Sequence, residues 1–219
     1  MKKLIIKWLI DLHEKLREKE WARNANKTLE GLYLRYFGWF RGNAPLRIIG
    51  DSIAASLLMI NDRFGACENQ GIPGEKTEGM LFRFALAIKG KPKKLACSIG
   101  GNDLRDNVPV SDVVGRIFQM VERARSAGAE FGWIEPPALG PAFADLNLKV
   151  PLLISAVEIE NARRQKLKGL PTLTIIRVRK EAQGSDGYIK PEYFGDGIHP
   201  NYMCLSIVYF SAINSFFQA

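Results

Sequence analysis

Leu46-Arg-Ile-Ile-Gly-Asp-Ser-Ile-Ala-Ala-Ser-Leu-Leu-Met-Ile60 decides the fold. Residues 46–49 are apolar and β-branched enough for a short buried strand. Gly50-Asp51-Ser52 breaks that run, and from residue 54 to 64 the apolar positions recur at helical spacing. The same grammar repeats downstream. Strand-like runs at 95–99, 131–134 and 173–178 alternate with helical patterns at 75–88, 110–127, 153–168 and 203–217. Alternation of this kind predicts a mainly parallel sheet covered on both faces. Ligands of such sheets bind beyond the carboxyl ends of the strands. Gly50-Asp51-Ser52, Gly100-Gly101-Asn102-Asp103 and Glu135-Pro136-Pro137 each follow a predicted strand, so all three should gather on one edge.

Upstream of residue 44 the composition differs. The chain has 219 residues and a formal charge of +8, and residues 1–47 hold 11 basic against 5 acidic side chains. Trp8, Trp21 and Trp39 lie there too. Helical spacing is read over 3–21 and again from Leu29 to Phe40, and Gly42, Asn43 and Pro45 end the second stretch. We therefore expect a basic, aromatic-rich helical extension over 1–43 and a separate α/β domain over 44–219. The extension has three readings: a helical pair packed on protein, an interfacial segment on anionic lipid, or a nucleic-acid contact. The first is favoured, because an aromatic stripe at helical spacing is usually buried. No nucleic-acid partner is expected, and Lys89-Gly-Lys-Pro-Lys-Lys94 reads as a solvated connection.

Three widely spaced cysteines, Cys67, Cys97 and Cys204, exclude a disulfide scaffold and a CxxC metal site. Two histidines are too few for a His-rich metal centre. No apolar run is long enough to span a membrane. The first residues imitate a signal peptide, but Lys7 interrupts the run, Asp11 ends it, and no cleavage site follows. The expectation is a cytoplasmic protein, with peripheral membrane contact through 1–43 as the variant reading.

Ser52 lies where a strand becomes a helix, and it reads either as a nucleophile or as a helix N-cap. A neutral serine needs a base. His13 sits among charged residues of the first helical pattern and reads as solvated surface. His199 sits in a loop bounded by Gly and Pro, three residues after Asp196. That spacing lets the carboxylate reach the imidazole nitrogen turned away from the serine; singly, Asp196 also suits a turn and His199 a helix start. Donors for an oxyanion are the Ser52 N–H, a glycine N–H from Asn69-Gln-Gly-Ile-Pro-Gly74, and the Asn102 amide, which also suits a loop-shaping Asx turn.

Gly50-Asp51-Ser52, Gly71-Ile-Pro-Gly74, Gly100-Gly-Asn-Asp103 and Asp196-Gly-Ile-His-Pro-Asn201 together resemble the SGNH/GDSL hydrolase family, in order and at plausible spacings. The stretch from Ile189 to Asn201 is particularly similar to bacterial thioesterase/lysophospholipase members. The resemblance implies a flavodoxin-like α/β/α sandwich with a five-stranded parallel sheet, and ester hydrolysis without metal or organic cofactor. It assigns Ser52 as nucleophile, His199 as base and Asp196 as its orienting acid. It also assigns Ser52, Gly74 and Asn102 to the oxyanion hole, Gly74 as the later glycine of an Ile-x-Gly pattern. Ser56 and Cys204 stand where members commonly carry a small residue or glycine; neither removes a group the mechanism needs. The expected substrate is a small acyl ester: a lipid, a thioester or an acetylated sugar. Two alternatives use the same residues differently, an acyltransferase and a catalytically weak, membrane-associated acyl-binding module. Oligomeric state stays open.

Overall fold

The structure, a computed structural model, describes residues 44–194 and 196–219. The expected extension over 1–43, with its helical patterns and its lipid-facing reading, lies outside the described residues.

Five strands form the sheet: β1 Leu46–Gly50, β2 Cys67–Gly71, β3 Lys94–Ser98, β4 Glu130–Ile134 and β5 Thr174–Ile176. All pairings are parallel and the spatial order is β2-β1-β3-β4-β5. Side chains alternate across each strand, so neighbouring apolar residues serve opposite faces. Ile49, Leu95, Cys97, Phe131 and Trp133 join one core, and Ile48, Ala96, Ile134 and Ile176 join the other. The first core is covered by α2 Thr77–Ala87, α4 Val110–Ser126 and α5 Ala144–Lys166, which contribute Met80, Phe84, Ile117, Phe118 and Leu153. The second is covered by α1 Ser52–Ser56 and the C-terminal run of α7 Tyr202–Cys204, a π-helical turn Leu205–Tyr209 and α8 Phe210–Gln218. This is the three-layer α/β/α sandwich. Short α3 Gly101–Arg105 and α6 Arg179–Ala182 follow β3 and β5.

Four local expectations change. The helix read over 54–64 begins at Ser52 and, after Ser56, tightens into a 3₁₀ helix Leu57–Phe64. There Leu57 and Ile60, three apart, both point inward, as three residues per turn require. The helix read from 153 starts at Ala144 and runs through Pro151, because Val150, Leu153 and Val157 bury against the core on either side of the missing N–H. The strand read over 173–178 shortens to β5, since the Val178 N–H turns away to Glu135 Oε1 at 3.0 Å. Finally, Cys67–Gly71 is a strand that hydrophobic patterning passes over.

The chain goes from β1 outward to β2 and then returns past β1 to β3. The connections after β1 and β3 therefore leave in opposite directions and open a crevice between them. Gly50-Asp51-Ser52 and Gly100–Asn102 face each other across it.

Candidate active site

Gly50 ends β1 at φ +125°, and a Cβ there would lie 1.9 Å from the Ser98 carbonyl oxygen. Only glycine allows both the conformation and the approach. The Asp51 N–H then donates to Ser98 O at 2.9 Å, which ties the start of α1 to β3. Asp51 is the N-cap, its Oδ1 accepting the Ile53 N–H at 3.0 Å and the Ser98 hydroxyl at 3.1 Å. Ser52 is thus the first helical residue and its hydroxyl is released from capping, against the capping alternative. Burial pushes the Asp51 carboxyl up to about 7, against the opposing hydrogen bonds from Ile53, Ser98 and Ala54.

Ser52 Oγ lies 3.0 Å from His199 Nε2, and His199 Nδ1 lies 2.6 Å from Asp196 Oδ2. An ionised carboxylate only accepts, so Nδ1 carries the proton and Nε2 is left to accept from the serine. Asp196 Oδ1 also takes the backbone N–H groups of Ile198 at 2.9 Å and His199 at 2.7 Å. The residue is therefore a turn-former and an imidazole partner at once. Burial works against the Asp196 carboxylate, but these hydrogen bonds and the imidazole outweigh it and draw the group down to about 2. The loop is held at both ends. Gly197 O accepts the Gly140 N–H at 2.8 Å, and Asn201 caps α7 by accepting the Cys204 N–H at 3.0 Å while its N–H donates to Tyr193 O.

Across the crevice, Asn102 Nδ2 donates one of its two N–H groups to Glu75 O at 3.0 Å. That bond bridges two segments instead of closing an Asx turn, and it leaves the second amide N–H available. Asp103 anchors the same segment, accepting the Thr77 N–H at 2.9 Å and the Thr77 hydroxyl at 2.6 Å. Gly74, at φ +80°, immediately precedes Glu75, and its N–H makes no hydrogen bond to another described residue. Ser52 and Asn102 line one cleft; Gly74 stands outside that lining. The Ser52 N–H, at the first position of α1, has no intrahelical acceptor.

The rest of the cleft is largely apolar: Ile99, Pro136, Leu139, Leu146, Val150 and Ile198. Its Pro136–Leu139 wall is braced from behind. Glu135 Oε1 accepts the N–H groups of Val178 and Arg179, and the Arg179 guanidinium donates to Pro137 O at 2.9 Å and Asn147 Oδ1 at 3.0 Å. Sequence reading placed Glu135 on this edge without a role and missed Arg179. It also missed Arg105, which lines the cleft; its spacing of three from Asn102 on one helix is the signal that was available. Among the described residues no group of three or more His, Cys, Asp or Glu is arranged to hold a metal. Nor is any described helix long and apolar enough to cross a membrane.

A hydroxyl bonded to an imidazole whose far nitrogen meets a carboxylate can lose its proton on attack at a carbonyl carbon. Comparison with known proteins points to ester hydrolysis. Residues 38–202 match the GDSL-like lipase/acylhydrolase family. No curated protein matches the chain in sequence. Among solved structures, a GDSL-like lipase from Bacteroides thetaiotaomicron is similar with a TM-score of 0.65 and 18% identity, over 79% of this chain and 85% of that one. The lipase/acylhydrolase from Enterococcus faecalis gives 0.62 and 20%, over 79% and 95%. An acetyl xylan esterase from Geobacillus stearothermophilus gives 0.60 and 15%, over 77% and 93%. At these identities the likeness to the three structures is one of fold. With the family match spanning all four of its sequence blocks and most of its length, the chain belongs to the GDSL-like lipase/acylhydrolase family and is a carboxylic ester hydrolase.

Proposed function

We propose that this hydrolase cleaves short acyl esters by two-step acyl transfer, with Ser52 as nucleophile, His199 as base and Asp196 as the acid that orients it. The observation that carries the reading is the continuous chain from Ser52 Oγ to His199 Nε2 and from His199 Nδ1 to Asp196 Oδ2. As Ser52 Oγ attacks the carbonyl carbon, His199 Nε2 takes its proton and the Asp196 carboxylate stabilises the imidazolium. The carbonyl oxygen becomes an oxyanion, held by the N–H groups of Ser52 and Gly74 and by the free amide N–H of Asn102. The tetrahedral species collapses, the C–O bond to the leaving group breaks, and His199 returns the proton to the departing alkoxide. Water then attacks the acyl-enzyme by the same route, releasing the acid and restoring Ser52.

The size of the cleft supports a short acyl group. At about 50 Å³ it holds roughly four water-sized groups, the scale of an acetyl to butyryl chain. Short-chain p-nitrophenyl esters are therefore the substrates of choice for the test. We expect wild-type protein to turn them over and to be labelled by a fluorophosphonate, and Ser52→Ala to lose both while keeping its circular dichroism spectrum. Labelling or turnover that survives in folded Ser52→Ala would overturn the assignment.

A further inference from the structure

We propose that Arg105 selects acyl esters carrying a second, anionic group, carboxylate or phosphate, a few bonds from the scissile carbonyl. The inference rests on the reading of Ser52 as nucleophile and adds a substrate class to it. Asn102 and Arg105 are three apart on α3, which puts their Cβ atoms about 5–6 Å apart on one face. Both line the cleft that Ser52 opens into. Among the described lining residues Arg105 is the one cation, and the one carboxylate, Asp51, is buried and occupied by Ile53 and Ser98.

The guanidinium is not spent elsewhere. Its Nε donates to Asp106 Oδ1 at 3.2 Å, while Nη1 and Nη2 make no hydrogen bond to another described residue. Asp106 is itself shared, because its Oδ2 pairs with the Lys76 ammonium. Two cations thus divide one carboxylate, and the rim beside Asn102 keeps a net positive charge. A guanidinium fork meets a carboxylate or a phosphate with two parallel hydrogen bonds. The neighbouring walls offer such an anion nothing else, since Ile99, Pro136, Leu139, Leu146 and Val150 are apolar. An anion seated on Arg105 would hold the ester carbonyl within reach of the Asn102 amide, so the preference should appear in kcat/KM.

The anion can belong to the acyl chain or to the alcohol, and two substrate pairs separate these sources. For the acyl side, p-nitrophenyl hemiglutarate is compared with its neutral methyl glutarate counterpart, with spontaneous hydrolysis subtracted. For the alcohol side, 4-acetoxybenzoate is compared with its methyl ester. Intrinsic reactivity cancels when the anionic-to-neutral ratio of kcat/KM is compared between wild type and Arg105→Gln. We expect that ratio to fall about 10- to 100-fold in Arg105→Gln for at least one pair, the pair affected naming the source. Arg105→Lys should recover part of it, and raised salt should lower it in the wild type. Ratios in both pairs that are equal in wild type and Arg105→Gln overturn the proposal, while Ser52-dependent turnover in that experiment leaves the nucleophile assignment standing.

Discussion

Asp51 takes the capping position and accepts the Ile53 N–H, and this division of labour leaves the Ser52 hydroxyl to His199. A similar division holds at Asn102, where one amide N–H fixes the side chain on Glu75 O and the other stays unspent. Replacing Asn102 with alanine should therefore lower kcat about 10²- to 10³-fold. The lost bond to Glu75 should cost only about 1 kcal/mol of stability. A loss below tenfold on a p-nitrophenyl ester would take Asn102 out of the oxyanion hole. Ser52, Asp196, His199 and Asn102 were legible because each is a chemically distinctive residue at a strand end or in a Gly/Pro-bounded loop. Arg105 was not, because an arginine beside an aspartate on a short polar helix looks like any solvated pair. Its spacing of three from Asn102 was the one signal, and only the fold shows that this face of α3 lines the cleft.

At the scale of elements, β2 resisted reading because its sequence, Cys-Glu-Asn-Gln-Gly, is polar while four of its five residues are buried. Each buried polar group met by a partner needs a contact that no periodicity records. Glu68 Oε2 receives Arg47 Nε at 2.9 Å, and Asn69 donates to Ala54 O at 2.7 Å while accepting the Gly71 N–H at 2.9 Å. Arg47, fully buried on β1, also donates to Ala87 O at 2.6 Å and Lys89 O at 2.7 Å, so it satisfies carbonyls at the end of α2. Helix α2 is thus terminated by a side chain from the sheet. Arg47→Met should destabilise the fold by about 3–5 kcal/mol, because it leaves Glu68 buried and unpaired. Arg47→Met/Glu68→Met should return part of that loss in denaturant unfolding. A double variant no more stable than the single one would mean that the carbonyl contacts, and not the ion pair, dominate. Helix boundaries were misread where packing overrode a local signal: Pro151 reads as a stop, yet α5 continues because its apolar face is already committed to the core.

For the molecule as a whole, the alternation of strand-like and helix-like segments was enough to reach the parallel sandwich, whereas the strand order and the position of its crevice came from the fold itself. The buried acids give this fold an unusual response to pH. Burial raises Asp51 to about 7, and burial likewise raises Glu75, with Arg83 opposing, and Asp103, with Thr77 opposing. Between about pH 4 and pH 7 the native state keeps protons that the unfolded chain has released, so stability grows as pH falls through that window. Below about pH 4 the sign reverses. Glu160, lowered to about 2 chiefly by its hydrogen bond from Arg163, and Asp196, drawn to a similar value, then lose their native advantage as they protonate. We expect a higher thermal midpoint at about pH 5 than at about pH 7.5, and a smaller difference in Asp51→Asn, which keeps the cap. A difference unchanged in Asp51→Asn would assign the effect to other groups. One last consequence concerns how such an enzyme can diversify. The Gly140 N–H reaches Gly197 O at 2.8 Å, and a Cβ on Gly140 would stand 3.0 Å from Gly197 Cα. The wall of the cleft and the loop bearing His199 therefore share one strut. Lengthening the wall to admit a larger acyl chain would displace His199 with it, so a change of specificity is better made on the α3 side, away from the proposed base.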